Sequence, residues 1–163
     1  MKGAALSIPG DPTVNIRQAT VADLDVIVPL FDAYRQFYRQ PSDPERARQF
    51  LLERFERKQS VIFLALEQHT ALGFTQLYPS FSSGALAPIV ILNDLFVIPQ
   101  ARRRGVASKL LREAAEYGRR VQAVRLTLST ELTNTVAQSV YEAHDWKRDI
   151  TFCVYHRDLT IQE

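Results

Sequence analysis

A strand that ends at a proline, followed by three arginines, a glycine and an amphipathic helix, constrains this chain most. Residues 97–111 read VIPQARRRGVASKLL, in which Pro99 ends the strand and a helix begins near Gly105. The first backbone N–H groups of a helix have no partner within it and carry partial positive charge. Because Gly105 has no Cβ, the backbone can approach a ligand there, and the arginines add cationic donors. The segment predicts a diphosphate-binding turn, although an exposed basic turn could show the same residues.

Other phosphate-binding patterns do not fit this turn. The chain has no G-x-G-x-x-G, and the spacing from Gly105 to Lys109 differs from G-x-x-x-x-G-K-[ST]. A kinase or dinucleotide-binding function is therefore unsupported.

Composition indicates one soluble domain. The 163 residues fit a single core, and 20 basic against 18 acidic residues leave a net charge of +2, which disfavours nucleic-acid binding. No apolar run reaches the roughly 18 residues of a membrane span, and the three histidines lack metal-ligand spacing. The single cysteine, Cys153, fits a reducing compartment and is expected to be buried and inert. We expect a cytoplasmic domain over residues 1–163, with residues 1–12 as a flexible tail, and neither a metal nor a membrane partner.

Hydrophobic periodicity predicts alternating helices and strands. Thr20 and Asp23 resemble a capping box that opens the first helix, and Pro29 should weaken or kink the middle of that helix. Pro44 suits the first position of a second helix that starts at Asp43. Further helices are expected from about Gly105 and over 134–144, strands over 14–17, 61–66, 72–78, 89–98, 124–128 and 152–159, and a loop over 81–88. This order indicates a mixed α/β fold around one sheet.

Two blocks of residues resemble a known superfamily. Arg102-x-x-Gly105-x-Ala107 resembles the Q/R-x-x-G-x-G/A signature of the GNAT superfamily of acyl-CoA-dependent N-acetyltransferases, and Asn134 to Trp146 resembles its block N-x-x-A-x-x-x-Y-E-x-x-G-F/W. The resemblance extends over roughly residues 14–159 and implies a mostly antiparallel, splayed sheet flanked by helices. The sequence departs from the family pattern at Arg103, where Gly is frequent, and at Asp145, which replaces a helix-ending Gly.

The resemblance also implies a co-substrate, acetyl-CoA, and a role for each matching residue. Leu95, Phe96 and Val97 would pair with the pantetheine arm, Asn134 would hydrogen-bond near it, and Tyr141 would lie beside the thioester sulfur. The pyrophosphate would be held by Arg102, Arg103, Arg104, Gly105, Val106, Ala107 and Ser108. We also expect a homodimer, which is common in this superfamily.

Asp94 and Tyr141 are the candidate catalytic residues. The amine that accepts the acetyl group must lose a proton, and Asn93-Asp94 is a polar pair within an apolar strand, so Asp94 could accept that proton directly or through water. It could equally cap a turn or pair with an arginine. Tyr141 could give a proton to the leaving thiolate, or it could be an aromatic core residue.

The acceptor remains open at this point. Candidate walls of its pocket are aromatic residues that could hold a cationic amine but could also be core: Tyr34, Phe37, Tyr38, Tyr78 and Phe81. We expect acetyl transfer to a small-molecule primary amine, directly in a ternary complex. The alternatives are a protein lysine or N-terminus as acceptor, a non-catalytic acyl-CoA sensor, and a basic nucleic-acid module.

Overall fold

The computed structural model describes residues 13–159. The chain forms two compact units, Met1–Ser129 and Thr130–Glu163. In the described residues the first unit holds a five-stranded sheet and three α-helices, and the second holds one α-helix. None of these helices is long and apolar enough to cross a membrane.

The elements follow one another in an alternating order. The strands are β1 (Asn15–Gln18), β2 (Val61–Glu67), β3 (Thr70–Ser82), β4 (Ala87–Val97) and β5 (Leu126–Thr127). The helices are α1 (Leu24–Phe37), α2 (Pro44–Glu56), α3 (Val106–Arg120) and, in the second unit, α4 (Thr135–Glu142). Short 3-10 turns precede α1 and α3 at Val21–Asp23 and Pro99–Ala101.

The sheet confirms the predicted mixed α/β class. Its order is β1-β2-β3-β4-β5, and the first three pairs are antiparallel. β5 pairs with β4 in parallel, and only at Val90 and Ile91. Within the described sheet, β4 therefore has a free second edge from residue 92 to residue 97.

Helices cover both faces of the sheet because side chains alternate along each strand. On one face, Tyr34 of α1 packs its ring against Phe74 of β3 and Phe96 of β4, with centroid separations of 6.0 and 6.4 Å. On the other face, Tyr117 of α3 packs against Phe63 of β2 at 6.0 Å. We refer below to the α1 face and the α3 face of the sheet.

Side-chain hydrogen bonds define the starts of the first two helices. Thr20 N–H donates to the Asp23 carboxylate at 2.8 Å, as the capping box predicts, and Asp43 Oδ1 accepts from Arg46 N–H at 3.0 Å. The buried carboxylate of Asp32 in α1 accepts from Ser42 Oγ at 2.7 Å and from Asp43 N–H at 2.8 Å. Asp32 thereby fixes the start of α2 against α1.

Pro29 lies inside α1 and does not interrupt it. The helix is continuous from Leu24 to Phe37 with Pro29 inside it. Pro29 lies on the exposed side, whereas Ile27, Val28 and Leu30 are buried. Water can therefore satisfy the backbone carbonyl that loses its partner, and burial of the opposite side holds the helix together.

The predicted loop over 81–88 is wrong. β3 continues to Ser82 and β4 begins at Ala87, so Phe81 pairs with Pro88 as part of the sheet. The turn itself is confined to residues 83–86. The serine and proline residues within this long hairpin made its sequence resemble that of a loop.

No strand forms at the predicted position 152–159. Asp149 Oδ1 accepts from the N–H groups of Thr151 and Phe152, at 2.8 and 3.0 Å, and these bonds form a local turn where the strand was expected to start. Residues 151–159 are all exposed, and Cys153 is exposed with them. The expected burial of Cys153 is therefore wrong.

Gly73 is required where β3 meets β4. A Cβ at Gly73 would lie 2.3 Å from the backbone oxygen of Phe96, so the two strands would have to separate. We expect Gly73→Ala to lower the free energy of unfolding by about 1–3 kcal/mol, as overpacking does. Chemical denaturation measures this change.

Gly84→Ala is the matched control, because nothing lies within 4 Å of a Cβ at Gly84. It should leave stability nearly unchanged. Equal effects of the two substitutions would contradict the close approach of β3 and β4.

Candidate active site

A β-bulge at Asn93 determines where the polar pair of β4 points. Leu77 of β3 pairs with Leu92, but the neighbouring Gln76 pairs with Asp94, so Asn93 is an additional residue in β4. One extra residue reverses the alternation of side chains along a strand. Leu92 consequently lies on the α3 face, whereas Asp94 lies on the α1 face. The two consecutive polar residues were the sequence feature that marked this bulge.

Asp94 is a buried carboxyl group held by hydrogen bonds. Its residue is 4% exposed. Asn93 Nδ2 donates to Asp94 Oδ1 at 3.0 Å, and Tyr34 also hydrogen-bonds the carboxylate. Burial raises the pKa of Asp94 to about 6, and the hydrogen bonds from Tyr34 and Asn93 offset part of that rise. A carboxyl group with this pKa can take up and release protons near neutral pH.

The three predicted acceptor-pocket tyrosines lie near Asp94. Tyr34 contacts Asp94 directly, and the Tyr38 ring meets the Tyr34 ring edge-on at 5.1 Å. Burial and the negative charge of Asp94 raise the pKa of Tyr78 to about 12. The positive charge of Arg54 lowers the same pKa by a smaller amount. Tyr78 and Asp94 therefore share the α1 face.

The other two predicted walls lie elsewhere. Phe81 is three residues beyond Tyr78 in β3, so its side chain points to the opposite face of the sheet, and it is 79% exposed. Phe37, at the end of α1, is 54% exposed and lies 5.9 Å from the guanidinium of Arg102. The structure does not bring either ring to Asp94.

The free edge of β4 offers backbone groups at Leu95 and Val97. Ile98 N–H donates to Leu72 O at 2.9 Å, so the backbone of Ile98 faces β3. Backbone groups of successive residues point to opposite edges of a strand, so those of Leu95 and Val97 face the free edge and those of Phe96 face β3. Arg102 Nε donates to Val97 O at 3.1 Å, which agrees with this direction. Of the three predicted strand residues, Leu95 and Val97 can thus pair with an extended ligand.

The turn before α3 has a backbone suited to surround an anion. Arg103 and Gly105 both have left-handed conformations, with φ of 60° and 75°. The Arg103 value explains why this position favours glycine. Lys109 N–H donates to Gly105 O at 3.1 Å, so the N–H groups of Val106, Ala107 and Ser108 precede the first bond of the helix. No side chain caps this helix start.

The three arginines of the turn have different surroundings. Arg104 forms an ion pair with Glu67, Arg102 bonds Val97 O as described, and Arg103 is exposed. All three arginines are exposed, and Arg102 and Arg104 are also held by the contacts just given.

The second predicted block forms α4 in the second unit. Asn134 caps this helix, since its Oδ1 accepts from Ala137 N–H at 3.3 Å. Tyr141 is half-buried and its ring lies 6.2 Å from that of Trp146. Asp145 has a φ of 63°, which confirms that it replaces glycine in a left-handed helix end.

Sequence reasoning missed two polar residues on the α1 face. Gln76 is fully buried in β3, and Arg54 of α2 lies near Tyr78. Oε1 of Gln76 and Nε of Arg54 are buried and have no hydrogen-bond partner in the described part of the chain. A glutamine within the apolar strand pattern was an available clue, whereas Arg54 resembles any arginine on a surface helix.

Comparison with known proteins identifies the family of this chain. The model of the acetyltransferase (GNAT) family matches residues 27–146. An uncharacterized N-acetyltransferase of Bacillus subtilis (strain 168), YhfO, is 48% identical over 142 residues, which is 87% of this chain and 95% of the relative. The crystal structure of a probable acetyltransferase shares 47% identity with a TM-score of 0.86 and covers 91% of this chain and 99% of its own.

A more distant structure shows the same fold with a bound ligand. An aminoglycoside N-acetyltransferase in complex with CoA has a TM-score of 0.79 at 21% identity, covering 93% of this chain and 99% of its own. The chain belongs to the acetyltransferase (GNAT) family. It is an acetyltransferase enzyme, and acetyl-CoA is its co-substrate.

The raised pKa of Asp94 means that its ionised form destabilises the folded protein. Between the unfolded value of 3.8 and the folded value of about 6, the folded state binds the proton more tightly, so this group makes stability fall as pH rises. Asp94→Asn should therefore be more stable than the parent at pH 8, by on the order of 2 kcal/mol, and the difference should shrink below pH 6. Urea denaturation at pH 5 and pH 8 measures both values.

Asp25→Asn is the control for this experiment, because the Asp25 side chain is 84% exposed. Its effect should be small at both pH values, as for other surface ion pairs. An Asp94→Asn protein that is less stable than the parent at pH 8 would contradict the unfavourable ionisation of Asp94.

Proposed function

We propose that the protein transfers the acetyl group of acetyl-CoA to the primary amine of a small molecule, directly within a ternary complex, with Asp94 as proton acceptor. One observation carries this proposal. The bulge at Asn93 directs Asp94 to the tyrosine-lined α1 face, while the backbone of the next residue, Leu95, faces the free edge of β4. A proton acceptor and a strand edge able to hold an extended co-substrate are thus adjacent in sequence.

Two features of the chain suit acetyl-CoA. The free edge at Leu95 and Val97 can bond an extended pantetheine arm as a further strand would. The turn from Arg102 to Ser108 presents uncapped N–H groups and has open space at Gly105, as a pyrophosphate requires. Acetyl-CoA supplies the thioester carbonyl that the amine attacks.

Side chains of the protein then accept and donate the protons of the reaction. An alkylamine with a pKa of about 10.4 is mostly protonated at neutral pH and cannot attack a carbonyl. Ionised Asp94 accepts the amine proton directly or through one water, while Tyr34 keeps the carboxylate oriented. By the family resemblance, Tyr141 gives a proton to the departing thiolate of CoA, which regains a thiol.

A small acceptor agrees with the burial of the site. Because Asp94 is only 4% exposed, an amine must reach it on a narrow chain, and a small alkylamine is such a group. The named activity of the CoA-bound neighbour is also acetylation of a small molecule. A panel of small amines and basic peptides, followed by release of free CoA thiol, tests this choice, and turnover restricted to peptides would contradict it.

Asp94 should control the pH dependence of turnover. In the parent, kcat should rise with pH through a pKa near 6, because only ionised Asp94 accepts a proton. Asp94→Asn should lose about 100-fold or more in kcat, the usual contribution of a general base, and should lack this rise. Initial rates from pH 5 to pH 9 at saturating acetyl-CoA measure both. A retained rise in Asp94→Asn would exclude Asp94 as the base.

Tyr141 should contribute to turnover rather than to co-substrate binding. Tyr141→Phe removes only the hydroxyl, and we expect kcat to fall roughly 10- to 100-fold with the calorimetric affinity for acetyl-CoA nearly unchanged. Tyr155→Phe alters an exposed tyrosine and serves as control. Full turnover in Tyr141→Phe would show that the thiol obtains its proton elsewhere.

A further inference from the structure

The α1 face beside Asp94 also carries a cationic group that acetyl transfer does not use. Arg54 of α2 lies with its Cζ atom 4.5 Å from the centroid of the Phe50 ring, and its side chain is 19% exposed. Glu53 Oε2 accepts from Nη2 of Arg54 at 2.9 Å, whereas Nε is buried without a partner in the described residues. A buried, unpaired N–H of a guanidinium is costly, and an anionic acceptor is the group that best satisfies it.

Arg54 and Asp94 belong to one continuous wall. Tyr34 bonds Asp94, and its ring lies 6.1 Å from the ring of Phe31. Phe31 stacks on Phe50 at 5.7 Å with an interplanar angle of 12°, and the Arg54 guanidinium lies over the Phe50 ring. Tyr78 lies within electrostatic reach of both Asp94 and Arg54. A row of aromatic rings thus connects an acid to a cation.

A second arginine of α2, Arg46, lines a cavity of about 300 Å³ between α1 and α2. The walls of this cavity are Phe31, Arg35, Gln40, Arg46, Ala47 and Phe50, so none of the described acidic residues lines it. Arg35 is engaged by Asp32 at 3.5 Å and by Pro41 O at 3.2 Å, whereas Arg46 has no ion pair within the described residues. An acceptor that placed an additional ammonium group against Arg46 would be disfavoured.

We infer that the acceptor is an amine that also bears an anionic group, a carboxylate or a phosphate, with the amine at Asp94 and the anion at the guanidinium of Arg54. This inference rests on the proposed function and specifies its substrate class. The charge pair holds the acceptor at two points across the aromatic wall, so the amine nitrogen is directed at Asp94. The same arrangement selects against acceptors with several positive charges.

Matched pairs of acceptors test the inference. Each pair differs only in the anionic group: tyramine and tyrosine, cadaverine and lysine, ethanolamine and phosphoethanolamine, and propylamine and 4-aminobutyrate. The parent enzyme should show a higher kcat/KM for the anion-bearing member of at least one pair, by about tenfold or more, as one charge-assisted hydrogen bond provides. Whether carboxylates or phosphates are preferred identifies the anion.

Arg54→Met supplies the second readout, because it keeps the length of the side chain but removes its charge and donors. The ratio of kcat/KM between the two members of the preferred pair should fall towards one. Arg57→Met removes a charge from the exposed end of the same helix and should preserve the parent ratio. Circular dichroism and thermal melting verify that both variants fold.

The possible results separate the inference from the proposed function. Turnover of the plain amines at rates equal to or above those of their anionic partners would overturn the inference and leave small-amine acetylation standing. A preference for the anionic member that survives in Arg54→Met would overturn the assignment to Arg54. Acetylation of basic peptides with no turnover of any small amine would contradict the proposed function and this inference together.

Discussion

The pairing of the second half of β4 on one edge only is the constraint on which the site depends. β3 holds β4 along its whole length, closely enough that Gly73 has no room for a Cβ, whereas β5 covers only Val90 and Ile91. The bulge at Asn93 lies where the coverage by β5 ends. It turns Asp94 to the α1 face and leaves the backbone of Leu95 and Val97 on the free edge. A shift of one residue in the pairing of β4 with β3 would move the Asp94 side chain off the α1 face. It would also turn the backbone groups of Leu95 and Val97 away from the free edge.

Much of the fold could be predicted because the sequence features that indicate its helices and strands are local. The caps at Thr20 and Asp43, the apolar run of β2 and the helix after Gly105 each arise from a few neighbouring residues, and all four predictions agree with the structure. One error came from a longer-range effect, because pairing with β4 extended β3 through a segment whose composition resembled a loop.

The site was predictable in its residue types but not in its geometry. Asp94 stood out as a polar residue in an apolar strand, but only the register shows that Asn93 is the extra residue and which face Asp94 occupies. Tyr34 and Tyr78 converge from a helix and a strand 44 positions apart, which periodicity cannot reveal. The unpaired Nε of Arg54 is a property of packing and has no counterpart in the sequence.

A crystal structure of the protein with a bisubstrate analogue, CoA joined through its sulfur to an amine, would show where both substrates bind. We expect the pantetheine arm to pair with the backbone of Leu95 and Val97. We also expect the amine nitrogen to lie within hydrogen-bonding reach of the Asp94 carboxylate, directly or through one water. An analogue whose amine lies on the α3 face, or whose nitrogen contacts a different base, would contradict the role assigned to Asp94.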